Sequence, residues 1–322
     1  MCTAVSYLSG DHYFGRNLDL EYSYNESVVI TPRNFTFAFR NGHKLCNHYA
    51  MIGVATVADN YPLYYEATNE KGLSVAALNF PDNATYFSHD KNRENYAPFE
   101  LIPIILGNCK NAGEAKQFMS NLNIWSEAFG PDFPLSPLHW MIADKNHCLT
   151  VEQTAEGLKV YDNPVGVLTN NPPFPYHLHN LTNYMSLTPN PPVNNQPIPL
   201  KPYSLGMGSF GLPGDMSSGS RFVKAAFTKL HSINDPTEES AVSQFFHILG
   251  SARQPRGLTI LENGKHEYTL YSSCCNTDKG IYYYTTYQNS RINAIQLHKE
   301  DLEKDILMSY PLLSNLDILF QN

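Results

Sequence analysis

A cysteine stands at position 2, directly behind the initiator methionine. Aminopeptidases remove Met before small side chains, and Cys2 qualifies, so the processed chain begins with a residue that carries both a thiol and a free α-amine. An α-amine titrates near ~7.7–8.0 and can exchange a proton with the thiol at neutral pH. A terminal amine acting as base for its own side chain is one form of activated nucleophile. Arg16 and Asp19 follow in the string FGRNLD. A tight antiparallel return starting at Cys2 brings residue 16 back beside residue 2. A guanidinium there stabilises a thiolate, and a carboxylate at Asp19 is placed to hold the amine. The same residues also fit a cysteine that merely falls at position 2 and a surface ion pair at a strand end, which is common.

Other chemistries find less support. His43, Cys46 and His48 form one small cluster and His177 and His179 another, but neither supplies four ligands at zinc-site spacings, so no metal is predicted. There is no GxGxxG and no Walker A motif, and no cofactor is expected. The six cysteines (Cys2, Cys46, Cys109, Cys148, Cys274 and Cys275) contain no CxxC pair and fit no disulfide framework. The start of the chain has no basic stretch followed by a long apolar run, so the expectation is a cytoplasmic protein with reduced thiols. Lys plus Arg number 22 against 30 Asp plus Glu, a net charge of −8, which argues against nucleic acid and against an electrostatic membrane anchor. With 42% hydrophobic and 16% charged residues over 322 positions, the chain is globular and long enough to bury a large core.

The elements that must position Cys2 are strands first. Residues 2–8 are rich in strand formers, Ser9-Gly10-Asp11 reads as a turn, and residues 12–15 return. Further strands are predicted at 28–31, 35–39, 51–57 and 73–78, then helices at 99–106 and 112–122, the second capped by Asn111. Strands resume at 139–143, 149–153, 158–161 and 165–168. Residues 189–202, PNPPVNNQPIPLKP, exclude a regular helix or central strand. They read as a projecting arm around 188–205 on one domain spanning 1–322, rather than as a linker. Helices at 218–230 and 238–249 and strands at 267–273, 281–287 and 292–297 complete the pattern. This order suits a layered α+β fold better than a βαβ alternation.

The opening MCTAVSYLSGDHYFGRNLDLEYSYNESVVITPRNF resembles that of the choloylglycine hydrolase family, N-terminal-nucleophile hydrolases that include bile salt hydrolases and penicillin V acylases. NEKGLSVAALNFP, PLSPLHWMIADK, DNPVGVLTNNPPFPYHLHNLTNY, GLPGDMSSGSRFVKAAFTKL, SQFFHILGS and YTLYSSCCNTDKGIYYYTTYQNSRINAI continue the resemblance in order over nearly the whole chain. It implies a four-layer αββα sandwich of two antiparallel sheets, with Cys2 as nucleophile after Met1 removal. Arg16 and Asp19 match the arginine and aspartate beside that nucleophile. Asn79 and Asn170 match the asparagines credited with holding the tetrahedral intermediate, with Asn171 as the adjacent alternative, and Arg221 matches the last polar member. Neutral donors such as Asn Nδ2 suit an amide-hydrolysis oxyanion, and losing one typically costs about 10²–10³ in rate. Without the resemblance, Asn-Phe-Pro and Asn-Pro-Pro read as turns.

Asn79 resembles the bile salt branch, whereas penicillin V acylases tend to carry Tyr there. The expected reaction is therefore hydrolysis of glycine- or taurine-conjugated bile salts, with a penicillin V acylase and a non-catalytic steroid-binding protein as the alternatives. A flat steroid needs an apolar trough with a few polar anchors. Its expected walls are Leu18, Leu20, Tyr24, Tyr65, Phe129 and Phe133, the last two standing where the family often has aliphatic residues. The Pro-rich stretch falls where the family carries a loop that grips a neighbouring subunit, which implies a homotetramer.

Overall fold

The computed structural model describes all residues from 1 to 322. Its opening hairpin forms as the local chemistry dictates. Strands Cys2–Ser9 and Asp11–Leu20 pair antiparallel around Gly10, whose φ of +70° costs a glycine little. The second strand is buried over nearly its whole length, because it lies inside a sheet covered on both faces. That sheet runs in the order Val167–Leu168, Cys2–Ser9, Asp11–Leu20, His266–Asn276, Ile281–Thr286, Asn293–Gln296. Gly15 is required there for a different reason. A Cβ on it would sit 2.0 Å from the carbonyl oxygen of Ser273 on the neighbouring strand.

The second sheet is antiparallel in the order Gly157–Asp162, Cys148–Thr154, Leu138–Ala143, Ser74–Asn79, Tyr61–Asn69, Met51–Ala58, Ser27–Thr31, Met308–Pro311. The sheets stack face to face. Ala4, Phe14, Leu18 and Tyr271 from one meet Val28, Ile52, Val54 and Leu78 from the other in a single buried core. Helices Leu101–Asn108 and Ala112–Met119 cover the outer face of the second sheet with Leu101, Ile105, Leu106 and Met119. Helices Ser218–Leu230 and Glu238–Gly250 cover the first with Phe222, Ala225, Phe245 and Ile248. The result is the helix–sheet–sheet–helix layering that the family resemblance implies. Asn111, Ser217 and Thr237 cap three of these helices through their side chains.

Several local readings shift. The 35–39 run contributes only Phe37–Ala38, paired with Lys44–Leu45 outside both main sheets. Its three phenylalanines instead pack as an aromatic cluster, Phe35 against Phe37 edge-on and Phe37 against Phe39 stacked. The 165–168 strand shrinks to Val167–Leu168, since Gly166 has a φ of +64° and donates its N–H to Asn163 Oδ1. The helix that begins at Ala112 stops at Met119, before residues 122–124 turn into a short strand. Strand Tyr61–Asn69, helix Phe174–Leu181 and strand Met308–Pro311 were not foreseen. Residues 189–202 hold neither helix nor strand and are exposed, including Val193, Ile198 and Leu200. All six cysteines are unpaired, and no helix is long and apolar enough to cross a membrane.

His12 is a buried titratable group that makes stability depend on pH. Its ring nitrogens lie 2.8 Å from Ser6 Oγ and 2.9 Å from Thr277 Oγ1. Burial, outweighing Asp278 and Asp144 and aided by Lys229 and Lys145, holds its pKa down at about 4. The unfolded imidazole titrates near ~6.5. The unfolded chain thus binds the extra proton first, and the contribution of neutral His12 is full above that pH. It drains away as pH falls toward 4, by roughly 3 kcal/mol at most. Urea unfolding at pH 7 and pH 4.5 should show His12→Gln with a visibly flatter acid dependence than the parent. Identical slopes would reject this origin for the acid sensitivity.

Candidate active site

Cys2 sits at the first position of its strand, 3% exposed and opposite Leu18. Arg16 is opposite Ala4, two residues further along the same face, so the hairpin delivers the guanidinium diagonally beside the thiol rather than directly across from it. Arg16 is fully buried. Its Nη1 donates to the carbonyls of Tyr65 at 3.0 Å and Ala77 at 2.5 Å, and Nε to Asn17 O at 3.4 Å. Nη2 is buried with no protein acceptor. Burial opposes its charge, but Cys2, Tyr271, Glu66 and Asp19 outweigh that and raise its pKa. The guanidinium is therefore permanently positive at the thiol.

Asn170 is the hub on the other side of Cys2. Its Oδ1 accepts from the Cys2 backbone N–H at 2.7 Å and from Arg221 Nη2 at 2.7 Å, while its Nδ2 donates to Asn79 O at 2.6 Å. The backbone at Asn170 is itself pinned. Its N–H donates to Ser218 Oγ at 2.8 Å, and its carbonyl lies 2.9 Å from His177 Nε2. Asn79 ends its strand with an exposed side chain that makes no hydrogen bond to the protein and faces the trough.

Arg221 enters from the first turns of its helix, fully buried. It donates to Cys2 O, to Thr3 Oγ1 at 2.8 Å and to Met216 O at 3.0 Å. Asp19 Oδ2 is 4.0 Å away. Burial lowers its pKa, with Asp19 and Cys2 opposing, and neutral acceptors do most of the work of solvating this charge.

Asp19 is fully buried near the end of the hairpin's return strand. Its carboxylate accepts from Thr269 Oγ1 at 2.6 Å and Gln254 Nε2 at 3.0 Å. The Met1 ammonium binds the Asp19 carbonyl at 3.0 Å and the Glu267 carboxylate, and burial depresses its pKa.

Cys2, Arg16 and Asn79 open onto a trough in which 15 of 22 lining residues are hydrophobic, which suits a large apolar substrate with its polar bond at one end. Leu18, Leu20, Tyr24, Tyr65, Phe129 and Phe133 all line it. The far wall is an aromatic cluster in which Phe129 packs edge-on against Phe99 at 5.3 Å and Phe133 at 5.9 Å. Asn171 is not brought to the trough, because its Nδ2 is spent on Pro81 O at 2.7 Å. Tyr64, Phe99, Ile102, Glu127 and Leu138 also line it without having been singled out. Phe99 and Ile102 lay in a segment legible only as a helix, and Tyr64 lay in a strand that was not recognised. No group of three or more His, Cys, Asp or Glu side chains is arranged to hold a metal.

A family model described as linear amide C–N hydrolases, choloylglycine hydrolase family, matches residues 2–310. The chain belongs to the choloylglycine hydrolase family. It is thus an amide hydrolase. It is 54% identical over 316 residues to a bile salt hydrolase/transferase of Lactiplantibacillus plantarum, covering 98% of each chain. It is 38% identical over 325 residues to a bile salt hydrolase/transferase of Clostridium perfringens, covering 99% of each. A mutant conjugated bile acid hydrolase from Clostridium perfringens superposes with a TM-score of 0.92 at 37% identity over 100% of both chains. A penicillin V acylase from Agrobacterium tumefaciens superposes with a TM-score of 0.77 at 17% identity, over 99% of this chain and 94% of that one, and shares the fold.

Proposed function

We propose that this enzyme hydrolyses the amide bond of glycine- or taurine-conjugated bile salts. The observation that carries this reading is a single thiol, Cys2, at the polar end of an apolar trough, flanked by the buried groups named above. The names of the relatives support the substrate class. Met1 is removed first, which frees the Cys2 nitrogen, already 2.7 Å from Asn170 Oδ1, to become the α-amine. That amine takes the thiol proton, and the thiolate attacks the amide carbonyl. The resulting oxyanion is held by Asn79 and Asn170, with Arg16 as the positive charge nearest the thiolate. As the C–N bond breaks, the α-ammonium returns its proton to the departing glycine or taurine nitrogen, leaving an acyl-thioester. Water then attacks that carbonyl and gives its proton to the α-amine; the C–S bond breaks and Cys2 recovers the proton. Asp19 and Arg221 brace the nucleophile strand from behind.

The same reading takes the whole chain as one cytoplasmic domain, with the exposed 188–205 arm gripping a neighbour in a homotetramer. A Pro-rich arm is restricted before it docks and so loses little entropy.

Amine release from glycocholate, taurocholate and penicillin V, measured in parallel under reducing conditions, tests the substrate class. Turnover of both bile salts at least roughly tenfold faster than penicillin V, a gap of ~1.4 kcal/mol in barrier, is expected. The reverse order would identify an acylase pocket. Release from none of the three by a protein of confirmed Met1-free mass would point to a degenerate enzyme or a different amide, whereas retained Met1 would favour a binding-only role.

A further inference from the structure

Glu66 stands in the middle of the Tyr61–Asn69 strand and is 2% exposed. The mechanism above does not use it. Its Oε1 accepts from Ser273 Oγ at 3.1 Å and from Tyr282 OH, and its Oε2 from Tyr271 OH at 2.8 Å. Oε2 also lies 3.9 Å from Arg16 Nε. Every one of these partners belongs to the other sheet, so one carboxylate of the second sheet gathers three strands of the first around the arginine. A fully buried carboxylate is expensive unless its charge and lone pairs are matched. Burial pushes its pKa up, against Arg16 and the three hydroxyl donors.

The guanidinium of Arg16 is thereby used on all sides but one. Nε faces Asn17 O and Glu66, and Nη1 is held by the carbonyls of Tyr65 and Ala77. Only Nη2 is buried without a protein acceptor, in a residue that lines the trough beside Cys2.

We infer that Glu66 is a positioning residue for Arg16, locking the plane of the guanidinium so that its Nη2 edge is the one presented to the reacting thiol and carbonyl. This rests on the role given to Arg16 above. A shift of about 1 Å in such a group can cost as much as 10²-fold in rate, so loss of the lock shows in turnover more than in binding.

The test compares Glu66→Gln with Glu70→Gln. Glu70 is a buried carboxylate just past the same strand that pairs with Arg33 at 2.5 Å and caps Ala50 N at 3.0 Å, away from the trough. Two readouts are taken: steady-state glycocholate hydrolysis, and the rate at which iodoacetamide alkylates the Met1-free N-terminal peptide, followed by mass spectrometry. Glu66→Gln should lower kcat roughly tenfold with KM within about twofold, and change the alkylation rate several-fold. Glu70→Gln should lower the melting temperature and leave both readouts at parent values. In an Arg16→Leu background, Glu66→Gln should alter the alkylation rate no further, because its effect runs through Arg16. Parent kcat and parent alkylation in a folded Glu66→Gln would overturn the inference and reduce Glu66 to a pin between sheets. If that variant does not fold, Tyr282→Phe removes one donor from the carboxylate. Its kcat should fall about threefold or more at parent KM, and parent kcat would overturn the proposal. Should the parent itself leave conjugated bile salts untouched, the substrate reading fails while the alkylation comparison still decides the part played by Glu66.

Discussion

Cys2→Ser is expected to lower kcat by roughly 10³-fold or more while leaving the fold intact. Serine is nearly isosteric with cysteine, and Cys2 makes its hydrogen bonds through its backbone, N–H to Asn170 and carbonyl from Arg221. Those contacts survive the substitution, so the melting temperature should move by no more than a few degrees. What is lost is the thiolate. A serine hydroxyl does not ionise beside an amine that titrates near ~7.7–8.0, whereas a thiol does so readily, and the positive charge of Arg16 then has no anion to stabilise. Serine is also small enough to permit Met1 removal. An intact mass on both proteins therefore separates loss of the nucleophile from a blocked amine. Appreciable turnover by a correctly processed Cys2→Ser protein would defeat the thiol mechanism.

The second large effect belongs to Asn170. One side chain there satisfies three partners at once: the Cys2 nitrogen, Arg221 Nη2 and the Asn79 carbonyl. Asn170→Ala strips all three in a site from which water is largely excluded. A rate loss of about 10²–10³ is expected, in the range found when a single oxyanion donor is removed, because the α-amine loses its acceptor and the intermediate loses a neighbouring dipole. Stability should also fall, by roughly 1–3 kcal/mol, since Arg221 is left short of an acceptor in a buried position. Steady-state kinetics on a conjugated bile salt, paired with urea unfolding, separate the two effects. A variant that is destabilised but keeps kcat within tenfold would show that Asn170 only scaffolds the loop and that Asn79 carries the oxyanion alone.

Asn170 also illustrates where reading the residues one by one runs out. In sequence it stands in LTNNPPF, and by itself that string is turn chemistry. Nothing local reveals that its oxygen will meet both a strand terminus 168 residues away and a helix arginine at 221, or that its nitrogen will meet the Asn79 carbonyl. Family resemblance placed it, and the tertiary structure shows what it touches. Asp19 makes the converse point. Its position at the end of the hairpin was legible, but its partners were not. Thr269 and Gln254 come from the far end of the chain and both donate to its carboxylate. Asn171, one residue from Asn170, points elsewhere, because a change of one position in a turn reverses which side chain faces the site.

The chain by itself determined where the candidates for chemistry stand and what kind of elements carry them: a thiol on residue 2, an arginine and an aspartate at the return of the hairpin, alternating runs that make sheets, caps that start helices, and a stretch that proline forbids to be either. These follow from short-range rules, in which a residue's type and its neighbours within a few positions set the backbone and the proton chemistry. The tertiary structure alone decided which distant groups share one dielectric. It put Glu66 of one sheet against Arg16 of the other and folded Phe99, Ile102 and Glu127 around the same trough as Leu18 and Leu20. It also left one edge of one guanidinium without an acceptor. Burial turns those contacts from weak surface pairs into strong constraints, because charge is costly to bury and every partner that offsets the cost must come from wherever the fold brings it.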